Sequence, residues 1–263
     1  MAQTVQNWFW LRGLVREAAH WGELPREFER RNPGTKVHCL DLPGNGALFK
    51  TASPISIAAN ADFLTSAVDK ILSSQRAEGF ALNRPRVLSI SLGSMVAIDW
   101  VSRHPENFSG LVLINTSVRG VNPMFSRFRP ANLPQLIKIA LEPQIQLREK
   151  RILELTSNRP EIFEAVSKTW AAIQEKRPVS VSNAARQFIA AGTFAPKKTI
   201  RMPELLILQS RADRLLDPTC AEALHQMWGG ELRYHPTAGH DLPLDDGNWM
   251  LEQIEAFQKK LKA

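Results

Sequence analysis

Short apolar-leaning runs alternate with stretches of helical period along much of this chain. The runs are Asn7–Leu11, Lys36–Leu40, Arg86–Ile90, Leu111–Asn115, Glu204–Leu208 and Glu231–His235, each with the length and side-chain content of a strand. Between most of them lie segments with apolar residues three and four apart, such as Ile57–Leu72 and Gly93–Ser102. Parallel strands need crossover helices, so this alternation predicts an α/β fold with a mainly parallel sheet of about six strands. In such sheets ligands and chemistry collect on the loops at the carboxyl ends of the strands. Residues 118–200 break the pattern. They hold the helical stretches Leu133–Leu141, Gln144–Thr156, Pro160–Lys176 and Ser182–Ala191 and no convincing strand. The expectation is a core made of residues 1–117 and 201–263, with 118–200 inserted as a helical cap over the strand ends. A cap there would shape a pocket and exclude water.

Composition narrows this picture without changing it. The 263 residues are 44% hydrophobic and 22% charged, enough for one large buried core plus an insertion. No apolar stretch approaches the roughly 20 residues that span a bilayer, so no membrane span is expected. The opening residues MAQTVQNWFWLRG lack the basic and apolar regions of a signal peptide. Cys39 and Cys220 are far apart and each has apolar neighbours, which suits buried reduced thiols and a cytoplasmic location. The net charge of +7 is unevenly spread: residues 118–200 carry 14 Lys/Arg against 6 Asp/Glu, and the remainder carries 19 against 20. That field would steer an acidic partner or substrate, although a solvated helical surface reads the same way. No metal-ligand spacing occurs. The glycines of Asp41–Gly46 (DLPGNG) lack a following Lys-Ser/Thr, so no nucleotide, nucleic acid, metal or other cofactor is expected.

The stretch VLSISLGSMVAIDW (87–100) carries the candidate chemistry. A strand that turns sharply into a helix can expose a serine above the sheet, provided the positions two before and two after it are small. Ser91 meets this with Ser89 and Gly93. Ser89 would place β-branched Val87 at a crowded position, and Ser94 would place Leu92 and Val96 there. A serine needs a base, and the base needs an orienting group. Asp213 follows the run Glu204–Leu208, and His240 follows Glu231–His235, in the order Ser, Asp, His. Asp217 is the rival acid, and His235 and His20 are rival bases.

These motifs resemble those of the α/β-hydrolase superfamily over nearly the whole chain. DLPGNG resembles its loop after an early strand, SISLG its nucleophile elbow, RADRLLDP its acid loop and AGHDLPLDD its histidine loop. Among capped members the layout is similar to the carboxylesterase group. The resemblance implies Ser91 as nucleophile, His240 as base, Asp213 as orienting acid, and the backbone N–H groups of Leu14 and Leu92 as the oxyanion hole. It implies cleavage of a small-molecule carboxylic ester or acyl thioester without a cofactor, with an acidic acyl carrier as the candidate partner. Carbon–carbon bond hydrolysis on the same residues, or a non-catalytic binding protein on this scaffold, are the alternatives.

Three positions depart from the family pattern: Ser89 and Ser210 replace glycines, and Arg12 replaces the histidine of a His-Gly pair. Arg12 could hold its loop by hydrogen bonds or bind a substrate carboxylate. His20 could border the pocket. Phe125 and Trp170, with Phe128 and Phe188, could line an acyl pocket or dock the cap. Trp8, Phe9 and Trp10 read as core.

Overall fold

Alternation along β1 (Thr4–Leu11) sends Trp8 and Trp10 to one side of the sheet and Phe9 and Leu11 to the other, all four completely buried. A strand apolar on both faces belongs inside a sheet covered by helices on both sides. The computed structural model, which describes residues 4–197 and 199–261, has that architecture. The other strands are β2 (Thr35–Leu40), β3 (Ala81–Leu82), β4 (Arg86–Ile90), β5 (Gly110–Ile114), β6 (Leu205–Ser210) and β7 (Glu231–His235). Their order is β2-β1-β4-β5-β6-β7, with β3 also on β1, and every pairing is parallel. The sheet therefore has seven strands, one more than the pattern predicts. The additional β3 is two residues long, too short to leave a periodic signal.

Helices α1 (Leu24–Arg31) and α11 (Gly247–Leu261) cover one face, packing Phe28, Met250, Ile254 and Phe257 against Trp8, Trp10, Leu88 and Val112. Helices α2 (Ile57–Ala77), α3 (Leu92–Arg103) and α9 (Thr219–Trp228) cover the other, where Leu64, Val96, Ile98 and Leu224 meet Phe9, Leu111 and Leu113. Burying each such large side chain contributes about 1.5–3 kcal/mol, so these two layers hold the strand ends rigidly.

Between β5 and β6 the described residues form helices and no strand: α4 (Met124–Arg127), α5 (Leu133–Leu141), α6 (Ile145–Thr156), α7 (Phe163–Lys176) and α8 (Val181–Thr193). Leu153, Phe163 and Trp170 make a small core of their own. Residues 118–200 meet the rest of the protein through Val118, Ala190 and Phe194 in the main core and through polar groups. Arg16 pairs with Glu149 at 2.6 Å with both side chains buried, and Arg177 pairs with buried Glu17. The Oδ1 of Asn183 accepts from the Ser53 N–H at 2.9 Å. Near the carboxyl terminus α10 (Leu242–Asp245) is a single turn.

Candidate active site

β4 runs into Ser91, whose φ of 55° and ψ of −120° reverse the chain before α3 begins at Leu92. A non-glycine residue at positive φ costs about 1–3 kcal/mol and persists only where its surroundings impose it. Here the Ser91 N–H donates to Ile114 O at 2.9 Å, and the Thr116 hydroxyl donates to Ser91 O at 3.0 Å. Small neighbours permit the turn. The buried Ser89 hydroxyl donates to Val112 O at 3.1 Å, so serine in place of glycine is both accommodated and hydrogen-bonded. A Cβ on Gly93 would lie 2.4 Å from Arg12 O, and one on Gly13 would lie 3.1 Å from Ser91 Cβ. These two glycines let the loop after β1 close against Ser91. The N–H groups of Leu14 and Leu92 flank this contact, and neither donates to an acceptor among the described residues.

His240 lies on the loop after β7, and its Nδ1 is 2.8 Å from Asp213 Oδ2 beyond β6. The other Asp213 oxygen accepts from the Leu215 and Leu216 N–H groups at 2.8 and 3.0 Å, so the fully buried carboxylate is held by three partners. Burial opposes a charge on His240, but the Asp213 charge and hydrogen bond, with Asp241 beyond, raise its pKa above the ordinary 6.5. Arg12 works against that rise.

One side chain without a sequence signal of chemistry links the elements. Asn115 leaves β5 at φ 43°, a conformation asparagine tolerates better than most residues, which is why β5 ends at Ile114 and not at Asn115. Its Nδ2 lies within hydrogen-bond reach of Ser210 Oγ at 3.0 Å and of the Gly239 and His240 carbonyls at 3.3 and 2.8 Å. Its Oδ1 accepts from Ser210 N at 2.8 Å. The segment Ile114–Thr116 thereby touches the backbone of Ser91, the end of β6 and the backbone of His240. No hydrogen bond joins the Ser91 hydroxyl to His240 among the described residues; the two share this support.

The rival groups have other partners. Asp217 accepts from Thr219 N and Oγ1 at 3.0 and 2.7 Å, as a turn cap. His235 Nε2 sits 3.2 Å from Asp246, with its ring edge-on to Trp249. Burial pushes the thiols of Cys39 and Cys220 up to about 12, so neither is a thiolate nucleophile.

Of the two roles open to Arg12, the structure shows the one that holds its loop. Its carboxylate partner is internal: Nη1 and Nη2 meet the two oxygens of Asp241 at 3.1 and 2.5 Å, in a buried pair stacked over Trp21. His20 and Trp170 meet edge-on with centroids 5.0 Å apart, and both line a cleft of about 330 Å³ with Trp21 and Leu244. That cleft does not include Ser91, Asp213 or His240. Burial and the nearby Arg16 and Arg12 hold the His20 pKa well below the ordinary value, so it is neutral. Phe125 is 71% exposed on α4. Sequence reasoning missed Gln187 on α8, which is buried and accepts from the Val15 N–H at 2.9 Å. Its Nε2 donates to Asn45 Oδ1 at 2.9 Å and to Ser53 Oγ at 3.1 Å. Nothing local distinguishes it from any other helical glutamine.

A doubly covered parallel sheet with a strained serine after β4 and a paired Asp-His beyond β6 and β7 defines an α/β hydrolase. The chain belongs to the alpha/beta hydrolase family, whose pattern it matches over residues 8–252. Among curated proteins it is 35% identical over 102 residues to the pimeloyl-[acyl-carrier protein] methyl ester esterase of Chromobacterium violaceum. That match covers 39% of this chain and 35% of the relative's length. Among solved structures it is similar to an esterase from Rhodococcus sp. ECU1013, with a TM-score of 0.74 and 15% identity over 98% of this chain and 91% of the other. It is also similar to the 2-hydroxy-6-oxo-6-phenylhexa-2,4-dienoate hydrolase of Rhodococcus sp. strain RHA1, with a TM-score of 0.73 and 18% identity over 97% and 91% of the two chains. At these identities the two structures speak to the fold alone.

Proposed function

We propose that this protein is a serine hydrolase that cleaves a carboxylic ester or thioester of a small molecule through Ser91, His240 and Asp213. The observation that carries the reading is the Asp213–His240 hydrogen bond of 2.8 Å at the same sheet edge as a serine held at φ 55°. Ser91 Oγ attacks the acyl carbonyl while His240 Nε2 takes its proton. Asp213 holds the Nδ1 proton and stabilises the imidazolium as it forms. The unpartnered N–H groups of Leu14 and Leu92 bind the oxyanion, a contribution typically worth about 3–4 kcal/mol for each donor. His240 then protonates the leaving group, and water deacylates the enzyme with His240 again as base. Residues 118–200 act as the cap over this site.

The curated relative acts on a methyl ester, which supports the ester reading. Arg12, which replaces the family's histidine, is held by Asp241 and keeps the loop after β1 against Ser91. Free cysteines at 39 and 220 support a cytoplasmic location.

Hydrolysis of p-nitrophenyl esters from acetate to laurate, by wild type and Ser91→Ala in parallel, tests this reading, together with fluorophosphonate labelling. Turnover and labelling that both vanish in Ser91→Ala are expected. Labelling without ester turnover moves the assignment to a thioester or carbon–carbon substrate. Labelling equal in both proteins overturns the choice of Ser91.

A further inference from the structure

Helix α8 is inside out. Its buried face carries Asn183, Gln187 and Ala190, while Val181, Phe188 and Ile189 are 84, 52 and 50% exposed. Adjoining α4 does the same. Its C-terminal neighbour Phe128 packs edge-on against Phe188, with centroids 6.3 Å apart, and Arg127 donates to Ala191 O at 2.7 Å. Met124 and Phe125 are left projecting. On α5 no residue is buried, and Leu133, Ile137 and Leu141 fall at four-residue intervals on one exposed stripe. Nine large hydrophobic side chains stand exposed among the described residues, and all but Ile55 belong to these three helices. Single exposed apolar residues are ordinary, but such a concentration marks an interaction surface.

Charge and shape identify its partner. From Arg119 to Leu141 the chain has Arg119, Arg127, Arg129 and Lys138 and no acidic residue, and α8 has Arg186 and none. A second copy would set these cations against their own kind. The eight side chains project from the surface, each at least half exposed. Arg129 lies 3.8 Å from Asp217, whereas Arg119, Arg127, Lys138 and Arg186 have no acidic partner among the described residues. These cations around projecting apolar groups match an anionic headgroup layer over hydrocarbon.

We propose that the joined α4 and α8 surface, with the apolar stripe of α5 that follows α4 in the chain, adsorbs to anionic lipid bilayers, seating Met124, Ile137, Leu141 and Val181 at headgroup depth. No helix of the described residues is long and apolar enough to cross a membrane, so the attachment is peripheral. Helix α8 faces the core with Gln187 and Asn183, which fixes its orientation on the lipid. This inference does not depend on the catalytic reading.

The test is sedimentation of the full chain with phosphatidylglycerol/phosphatidylcholine vesicles and with phosphatidylcholine vesicles alone, at low and high salt. Binding to the anionic vesicles is expected to be at least about tenfold tighter and to weaken with salt. The variant Met124→Ser/Ile137→Ser/Leu141→Ser lowers it about tenfold with an almost unchanged thermal midpoint, as these side chains are half or more exposed. Arg119→Glu/Lys138→Glu lowers it separately. Equal binding to both vesicle types, or undiminished binding by the serine variant, overturns the proposal. So does a dimer that the serine variant dissociates, which assigns the face to a second copy. Binding of an acyl carrier protein that the same variant abolishes, without vesicle binding, overturns it in favour of an acidic protein.

Discussion

The guanidinium of Arg12 and the carboxylate of Asp241 form a buried bidentate pair that ties the loop carrying Gly13 and Leu14 to the residue following His240. Two loops remote in sequence are thus locked at the place where an oxyanion donor and a base must keep register. Asp241 raises the His240 pKa and Arg12 lowers it.

The proposed base is neutral His240, whose pKa is raised above 6.5, so kcat/KM is expected to fall on the acid side from a midpoint above that value. Asp241→Asn removes a charge that favours protonation and moves the acid limb to lower pH. Arg12→Gln moves it to higher pH. Each single change strands a buried charge and costs about 3–5 kcal/mol, whereas Arg12→Leu/Asp241→Leu costs less than the two together. Paired pH–rate profiles and urea titrations check these signs; limbs moving in the same direction would contradict the electrostatic account.

Gln187 reaches from α8 to the Val15 N–H, one residue beyond the proposed oxyanion donor Leu14. Gln187→Leu frees that N–H, and kcat is expected to fall roughly 10–100-fold with KM nearly unchanged, because the lost interaction forms only with the oxyanion. Affinity for a trifluoromethyl ketone, which mimics the tetrahedral adduct, should fall in parallel. A rise in KM alone would assign Gln187 to substrate binding.

Asn115→Ala deletes the contacts to Ser210, Gly239 and His240 together. Leaving those buried groups unpaired costs about 1–3 kcal/mol and lets the histidine loop drift. Unfolding in urea should register the first effect. Turnover reduced even in fully folded protein should register the second.

At the elbow, Gly93→Ala drives a Cβ to within 2.4 Å of the Arg12 carbonyl, a backbone atom that cannot step aside. Fluorophosphonate labelling of Ser91 is expected to be lost or slowed more than tenfold. Ser89→Ala forfeits only the hydrogen bond to Val112 O, about 1 kcal/mol, and should keep its labelling rate.

Sequence alone determined the strand–helix alternation, the helical character of 118–200 and the sharp turn at Ser91 between Ser89 and Gly93. These follow from local physics: side-chain periodicity, and the demand of a tight turn for small neighbours. Boundaries slipped where one residue's backbone departs from its pattern, as at Asn115, and β3 escaped because two residues have no period. Only tertiary structure decided what Arg12 holds, why Asn115 matters, and that Gln187 serves the loop after β1 while the exposed face of α8 is apolar. Arg12 finds its partner 229 positions away, and Gln187 reaches back 172 to Val15. Such pairings depend on how loops from separate strand ends converge, and no local pattern of polar and apolar residues encodes that convergence.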